Sequence, residues 1–191
     1  MTSDEQEKSA DGLASDASLV TRHSSPFCVI FSHGQDGDPW GAKIAAMAPV
    51  ARKHNLDVES LDYRGLDPAA RVAKLLDFLS GVTRPVILVG SSLGGHVAAT
   101  VSSKTKTAGL FLLAPAFYMP GYEQYTPKPA VCPIEIVHGW NDTIVPPQNS
   151  IRFAQEYKAT LHLFDSDHRL SDRIAEICEL FDWFLARRLN G

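Results

Sequence analysis

Short, almost purely apolar segments constrain the fold of this chain more than any other feature of its sequence. The four strongest cover residues 27–32, 86–90, 109–114 and 134–138. A strand with one face in water alternates apolar and polar residues, whereas a strand covered on both faces is apolar almost throughout. These segments therefore predict parallel strands buried between layers of helices. Two weaker strands are predicted at 56–61 and 160–164.

The segments between these strands predict five helices, at 40–54, 68–79, 93–103, 147–157 and 170–189. The first two follow an Asp-Pro pair, Asp38-Pro39 and Asp67-Pro68, and this pair suits a helix cap and first turn. Strands that alternate with helices favour a parallel sheet with right-handed crossovers. The predicted fold class is therefore α/β: a three-layer sandwich whose mostly parallel sheet of about six or seven strands has helices on both faces.

The first 25 residues differ from the rest of the chain. They are rich in Ser, Asp, Glu and Ala, and they show no apolar periodicity. This composition predicts a polar, flexible N-terminal tail, which could add one edge strand near Leu19 and Val20. Residues 26–191 are predicted to form a single domain, since a chain of 191 residues suits one well-filled core.

Composition excludes several function classes. The chain has 18 Lys and Arg against 22 Asp and Glu, a net charge of −4, so a broad nucleic-acid-binding surface is not expected. No apolar run approaches the roughly 18–20 residues of a membrane helix, and the N-terminus lacks the features of a secretory signal. The three cysteines, Cys28, Cys132 and Cys178, are odd in number and far apart. A cytoplasmic protein without membrane or nucleic-acid partners is predicted.

A Gly-x-Ser-x-Gly pattern carries the sharpest chemical signal. Gly90, Ser92 and Gly94 follow an apolar strand and open a helix of small residues, which is the context of a nucleophile elbow. Centring the pattern on Ser91 would require glycine at Val89 and Leu93. The alternative is a phosphate-cradling turn. That reading is disfavoured because no P-loop lysine follows and the Gly-x-Gly-x-x-Gly spacing is absent.

A nucleophilic serine needs a base, and the base needs an orienting acid. In the chain order Ser, acid, His, the acid is predicted to be Asp142, after the strand at 134–138, and the base His168, before the last helix. Asp165 and Asp167 are rival acids, but both lie too close to His168 in sequence. The alternatives are a capping carboxylate and a surface-loop histidine. Ser, acid and base each follow a different strand, where open parallel sheets bind ligands.

A His33-Gly34 turn follows the first strong strand. This position predicts an oxyanion hole formed by the backbone N–H groups of Gln35 and of Leu93, the residue after the nucleophile. We expect His33 to hold the loop rather than to take part in catalysis.

The segment from Pro115 to Pro133 interleaves aromatic residues with prolines. Phe117, Tyr118 and Met119 are predicted to form a wall of the substrate pocket, with Trp140 flanking the site from its own loop. The alternative is that these aromatic residues simply pack the loop onto the edge of the sheet. No metal or other cofactor is predicted, because loop carboxylates are far more often solvated and a serine triad needs none.

Taken together, His33-Gly34, the Gly90-x-Ser92-x-Gly94 elbow, the segment from His138-Gly139 through Asp142 to Pro146, and Asp167-His168 resemble the α/β-hydrolase superfamily. The resemblance covers about Pro26 to Leu189. It is strongest to small, cap-less serine hydrolases near the dienelactone-hydrolase-like and YqiA-like esterases. Dienelactone hydrolases proper use a cysteine nucleophile, so Ser92 argues against their reaction. The segment 115–133 is too short for the helical cap of larger members.

The resemblance implies a serine hydrolase that cleaves small or short-chain carboxylic esters or thioesters through an acyl-enzyme. The expected partner is the small-molecule substrate, and the protein is expected to be a monomer or homodimer. Two alternatives stay open: a non-catalytic binding or scaffold protein with the same fold, and a peptidase or acyltransferase that uses the same triad.

Overall fold

The computed structural model describes residues 26–190 as a six-stranded sheet flanked by helices. The strands, all parallel, run in the order β2-β1-β3-β4-β5-β6. Their bounds are β1 Cys28–Ser32, β2 Asp57–Leu61, β3 Val86–Ser91, β4 Thr107–Leu113, β5 Ile134–Gly139 and β6 Thr160–Phe164. The predicted fold class is confirmed, with six strands. The proposed edge strand near Leu19 and Val20 lies outside the described residues.

Five α-helices cover the two faces of this sheet: α1 Ala42–Lys53, α2 Pro68–Ser80, α3 Leu93–Ser102, α4 Pro147–Tyr157 and α5 Ile174–Leu189. One apolar cluster joins the sheet to α1 and α5, and a second joins it to α2, α3 and α4. The central strands β1 and β3 are apolar and buried because they contribute to both clusters. β2, at the edge of the sheet, alternates exposed and half-buried residues until Leu61.

Three of the five predicted helix starts, at Pro68, Leu93 and Pro147, are correct, and two are displaced. α2 begins at Pro68, and the Asp67 carboxylate accepts a hydrogen bond from the Ala70 N–H at 2.8 Å. α1 begins at Ala42 rather than Trp40, because Gly41 has an extended ψ of 164°. α5 begins at Ile174 rather than Leu170, because Leu170 adopts a left-handed φ of 54°.

The sheet reverses its order of growth between β1 and β3, with β2 on one side and β4 to β6 on the other. The crevice above such a reversal, at the carboxyl ends of the strands, is the usual ligand site of open α/β sheets. The loop from β4 to β5 passes over this edge and contains only a single 3-10 turn, Glu123–Tyr125, so a helical cap is absent there. Between residues 26 and 190, no helix has both the length and the apolar character needed to cross a bilayer.

Candidate active site

Ser92 lies at the junction of β3 and α3, in a sharply strained turn. Its backbone has φ 54° and ψ −119°, a conformation that side chains rarely adopt and that costs about 1–3 kcal/mol. The turn requires glycine on both sides. A Cβ on Gly90 would lie 2.3 Å from the Gly94 carbonyl oxygen, and one on Gly94 would lie 2.0 Å from the Ser32 carbonyl oxygen. These close approaches bring β3, α3 and the end of β1 together under the serine.

The structure brings the three predicted triad residues into one hydrogen-bonded chain. The Ser92 hydroxyl donates to His168 Nε2 at 3.1 Å, and His168 Nδ1 donates to Asp142 Oδ2 at 2.6 Å. Asp142 comes from the loop after β5, and His168 comes from the loop after β6. Side chains that are 76 and 26 positions apart in sequence therefore meet at one edge of the sheet, in the arrangement that a nucleophile, a base and an orienting acid require.

Asp142 is held as a buried carboxylate. Its Oδ1 accepts hydrogen bonds from the backbone N–H groups of Ile144 and Val145, both at 2.8 Å. Burial alone would raise its pKa, but the hydrogen bond from His168 and the two backbone donors outweigh burial, so the pKa of Asp142 is lowered. The carboxylate is therefore ionised and available to orient His168 at neutral pH.

The rival acids have other roles. Asp165 accepts a hydrogen bond from the Asn141 side chain at 2.7 Å. Asp167 accepts from the backbone N–H groups of Arg169 and Leu170, at 2.8 and 3.1 Å, and so shapes the turn that carries His168. In the part of the chain from 26 to 190, no group of three or more His, Cys, Asp and Glu side chains is arranged to hold a metal ion.

His138 is a site residue to which the sequence analysis assigned no role. Its Nε2 lies 2.9 Å from Asp142 Oδ2 and 3.0 Å from the Val145 carbonyl oxygen, and its Nδ1 lies 2.7 Å from Ser150 Oγ. Because a carbonyl only accepts, Nε2 must carry the proton. Burial lowers the pKa of His138, so the ring is neutral and Nδ1 accepts from Ser150.

Two imidazoles thus bind the Asp142 carboxylate, since His138 Nε2 and His168 Nδ1 both donate to its Oδ2. The signal that could have revealed His138 is a polar side chain at the buried end of an otherwise apolar strand, four residues before the acid. Such a group must find a partner, because an unpaired polar atom is costly to bury.

A second missed residue, Lys43 of α1, supports the loop that carries the base. Its ammonium donates to the Arg169 carbonyl at 2.8 Å. Burial lowers the pKa of Lys43 to about 8, although the carboxylates of Asp167 and Asp142 oppose this shift. The contact ties α1 to the residue that follows His168.

The loop after β1 lies against the nucleophile, where the oxyanion hole was predicted. A Cβ on Gly34 would lie 3.5 Å from the Ser92 Cβ, and both Gln35 and Leu93 line the cavity at the serine. The backbone N–H of Leu93 is the first N–H group of α3, so no carbonyl within the helix accepts a hydrogen bond from it. Both predicted donor residues therefore border the space above Ser92.

His33 holds this loop, as expected from the sequence. Its Nε2 accepts from the Tyr63 N–H at 2.8 Å, so the proton lies on Nδ1, which donates to the Gly34 carbonyl at 2.7 Å. Burial lowers the pKa of His33 and keeps the ring neutral. Neither of these hydrogen bonds involves Ser92, Asp142 or His168.

A cavity of about 360 Å³ opens beside Ser92. Its lining is mostly apolar and aromatic, and it includes Tyr118, Met119, Tyr122, Tyr125, Ile144 and Val145. His96, one helical turn beyond Ser92, also lines it, and burial lowers the pKa of this histidine.

Two of the four predicted substrate-binding residues line this cavity and two do not. Tyr118 and Met119 do, whereas Phe117 is fully buried and stacks on Phe153 with ring centroids 4.1 Å apart. The prediction for Phe117 is therefore corrected. The backbone reverses at Tyr118, whose φ is 47°, so adjacent side chains leave on opposite sides of the loop. Trp140 also lies outside the lining. Its backbone N–H donates to the Phe164 carbonyl, which extends the pairing of β5 with β6 by one residue.

Tyr118 is a fixed wall of the cavity, anchored by α4. Its hydroxyl donates to Glu156 at 2.7 Å, and the Arg152 guanidinium lies 3.9 Å from the centre of its ring. Burial and the Glu156 carboxylate raise the pKa of Tyr118, so it stays neutral. Its backbone N–H donates to the Thr126 hydroxyl at 2.8 Å, which closes the loop on itself.

Comparisons with known proteins agree with this geometry. A model of the alpha/beta hydrolase family matches residues 29–189. A candidate hydrolase of the alpha/beta superfamily from Xanthomonas campestris pv. campestris is 32% identical, with a TM-score of 0.77 over 84% of this chain and 98% of that one. No curated protein sequence matches this chain.

More distant solved structures share the fold. Est1E from Butyrivibrio proteoclasticus, solved with ferulic acid bound, is 18% identical, with a TM-score of 0.72 over 87% of this chain and 90% of that one. An alpha-beta serine hydrolase homologue from Coxiella burnetii is 20% identical, with a TM-score of 0.69 over 83% of this chain and 84% of that one.

Proposed function

Because the chain belongs to the alpha/beta hydrolase family, we propose that it is a serine hydrolase that cleaves small or short-chain carboxylic esters or thioesters through an acyl-enzyme. The observation that carries this proposal is the unbroken chain of hydrogen bonds from Ser92 through His168 to Asp142. A fold retained only for binding would not need a nucleophile in a strained turn, a base within reach and a buried acid behind it.

In the proposed mechanism, Ser92 Oγ attacks the acyl carbonyl carbon while His168 Nε2 takes the serine proton. The oxyanion of the tetrahedral intermediate accepts hydrogen bonds from the backbone N–H groups of Gln35 and Leu93. Collapse of the intermediate expels the alcohol or thiol, which receives the proton from His168. Water then attacks the acyl-enzyme while His168 takes its proton. Collapse of the second intermediate breaks the bond to Ser92 Oγ, which receives that proton from His168, and the carboxylic acid product leaves. Asp142 holds the imidazole tautomer throughout.

The cavity supports a small, uncharged acyl group. Its volume of about 360 Å³ has room for about a dozen water-sized groups, at about 30 Å³ each. No Asp, Glu, Lys or Arg is among the residues that line it, and a charged acyl group would lose hydration without gaining a partner there. Since ferulic acid is bound to Est1E, aryl acyl esters belong in the substrate panel beside short linear ones.

The remaining features of the proposal concern setting and assembly. We propose a cytoplasmic monomer or homodimer whose partner is the small-molecule substrate alone. The three cysteines are free, with Cys28 buried and Cys132 and Cys178 half-buried, which suits a reducing compartment.

The decisive experiment compares the wild type with Ser92→Ala. Each protein is treated with a fluorophosphonate probe and weighed intact, and hydrolysis of p-nitrophenyl esters of increasing acyl length is measured. We expect one adduct on the wild type and none on the variant, with turnover lower by several orders of magnitude. Ser103→Ala, at the exposed far end of α3, is the matched control and should behave like the wild type.

A folded wild-type protein that forms no adduct and hydrolyses no ester would overturn the proposal in favour of a binding protein. Product analysis with alcohol and amine acceptors then separates hydrolysis from acyl transfer, since a transferase would give the new ester or amide instead of the free acid.

A further inference from the structure

Arg71 is a buried cation that the proposed mechanism does not use. It lies in the first turn of α2 and exposes only 1% of its surface. A guanidinium is costly to bury unless its donors are satisfied. Here all the hydrogen bonds that it makes go to backbone carbonyl oxygens.

Three of these carbonyls are consecutive in the loop after β1, which also carries the predicted oxyanion donor Gln35. Nη1 donates to the carbonyl oxygens of His33 at 3.1 Å and Gly34 at 3.2 Å, and Nη2 donates to that of Gln35 at 3.2 Å. Nε donates to the Leu66 carbonyl at 3.0 Å and so fixes the guanidinium relative to the start of its own helix. One side chain therefore holds three consecutive carbonyls of this loop, and it is not among the residues that line the cavity.

The hydrogen bonds to the Gly34 carbonyl fix the direction of the Gln35 N–H. In a trans peptide unit, the C=O of one residue and the N–H of the next point in opposite directions within one plane. The Gly34 carbonyl accepts from Arg71 Nη1 at 3.2 Å, from His33 Nδ1 at 2.7 Å and from the Gly37 N–H at 3.3 Å. The Gln35 N–H must therefore point away from Arg71, and Gln35 lines the cavity beside Ser92.

We propose that Arg71 is a positioning residue, which aims the Gln35 N–H at the oxyanion by holding the Gly34 carbonyl on the opposite side of the loop. This inference rests on the proposed function, since an oxyanion forms only if Ser92 attacks a carbonyl. The positive charge of Arg71 behind the loop also polarises the gripped peptide units and strengthens their N–H donors.

Two variants test this role. Arg71→Met keeps the unbranched stem of the side chain as far as the position of Nε but removes every donor, and Arg71→Lys keeps the charge but cannot reach all the carbonyls at once. Each is assayed on an oxo-ester and on the matching thiono-ester, in which sulfur replaces the carbonyl oxygen. A developing thiolate accepts hydrogen bonds weakly, so the oxo-to-thiono ratio of kcat/KM reports the oxyanion hole rather than overall integrity.

For Arg71→Met we expect kcat on the oxo-ester to fall by about 10²-fold, the scale of one oxyanion donor, with a much smaller change in KM. The oxo-to-thiono ratio should fall by a similar factor, and Arg71→Lys should lie between Arg71→Met and the wild type. Gln35→Pro removes the N–H itself. If Arg71 acts through that group, adding Arg71→Lys to Gln35→Pro should lower kcat little further.

Arg187→Met is the matched control. Arg187 of α5 pairs with the buried carboxylate of Glu135 in β5, so this variant also removes an arginine contact made by a buried group. It should lower the melting temperature and leave the oxo-to-thiono ratio at the wild-type value. If Arg71→Met fails to fold, the same measurements on Arg71→Lys decide.

An unchanged oxo-to-thiono ratio in folded Arg71 variants, with losses no larger than those of Arg187→Met, would reduce Arg71 to a structural residue and overturn the inference alone. A wild type that neither labels nor turns over would instead overturn the proposed function, and this inference with it.

Discussion

The loop that supplies the triad acid and the loop that walls the cavity both leave the carboxyl edge of the sheet, yet they are built in opposite ways. In residues 138–145, the side chains of His138 and Asp142 are fully buried and paired. In residues 116–126, Tyr122 and Tyr125 are 66% and 63% exposed, and the loop is held mainly through Tyr118.

This difference separates two tasks. Chemistry requires that a base and its acid stay within a few tenths of an ångström of one geometry, which buried and fully paired groups provide. Choice of substrate requires a surface that can change without disturbing that geometry, which exposed aromatic side chains on a short loop provide. Changes at His138 and Asp142 should therefore alter the rate, and changes at Tyr122 and Tyr125 should alter which substrate is preferred.

The largest effect is expected for Asp142→Asn. The amide retains the shape of the side chain, but its NH₂ group competes with His168 Nδ1–H and favours the wrong imidazole tautomer. Removing the acid from a Ser-His-Asp triad in this way lowers kcat by about 10⁴-fold, and we expect a similar loss here. Steady-state kinetics on a p-nitrophenyl ester measures it.

Asp165→Asn is the control for this change. Asp165 is a rival acid in the sequence, and its carboxylate accepts a hydrogen bond from the Asn141 side chain rather than from His168. It should keep nearly all of the wild-type rate. Equal losses in the two variants would contradict the assignment of Asp142 as the acid.

A smaller effect, and one that sharpens the picture of the acid loop, is expected for His138→Leu, which removes the imidazole and supplies no other donor. Asp142 would lose the hydrogen bond from His138 Nε2 and would be held less firmly beside His168. We expect steady-state kinetics to show kcat/KM lower by about 10-fold, less than the roughly 10²-fold that a 1 Å misplacement can cost. The free energy of unfolding should fall by about 1–3 kcal/mol, because Ser150 and the Val145 carbonyl lose their partner.

His162→Leu provides the comparison, since His162 pairs with the Glu135 carboxylate at 2.8 Å, away from the triad. It should destabilise the protein without lowering kcat/KM. An unchanged kcat/KM in folded His138→Leu would show that His138 serves stability alone.

The smallest effect on rate is expected in the cavity loop. Tyr122→Ala removes an exposed wall of the cavity, so KM should rise about 3- to 10-fold for the acyl groups that reach it, with little change in kcat. This range corresponds to a loss of about 1 kcal/mol of apolar contact. A series of p-nitrophenyl esters from acetate to octanoate measures the shift in preference.

Trp140→Ala is the matching test at the position that the sequence placed near the substrate and the structure places outside the cavity lining. Its KM values should equal those of the wild type across the series. An equal shift in both variants would return Trp140 to the substrate site.

Local patterns were enough to predict most of the fold. The apolar runs identified the four inner strands β1, β3, β4 and β5, because a strand that is buried on both faces is apolar almost throughout. The edge strands β2 and β6 are only partly buried and gave weaker signals, although both were predicted. The Asp67-Pro68 pair located the start of α2 correctly. The Asp38-Pro39 pair did not locate the start of α1, because Gly41 remains extended and no side chain caps the helix.

The triad could be proposed from sequence because each member has a strong local signal. Ser92 lies between two glycines that the turn requires, because a Cβ on either would lie within 2.5 Å of a carbonyl oxygen. Asp142 and His168 each follow a strand. Chain order and the shared edge of a parallel sheet then bring them together. In the structure, hydrogen bonds of 3.1 and 2.6 Å join the three side chains.

Tertiary structure decided the residues that act through others. Arg71 reads as an ordinary helix residue, and only the packing of α2 against the loop after β1, 38 positions earlier, buries its guanidinium among carbonyls. His138 gains its role only when the loop folds back over β5. A left-handed φ at Tyr118 sends Phe117 into the core and Tyr118 to the cavity. A pattern of residue types shows the period of a helix or strand. It does not show which distant groups form hydrogen bonds with a buried polar atom, or towards which side of a loop a side chain points.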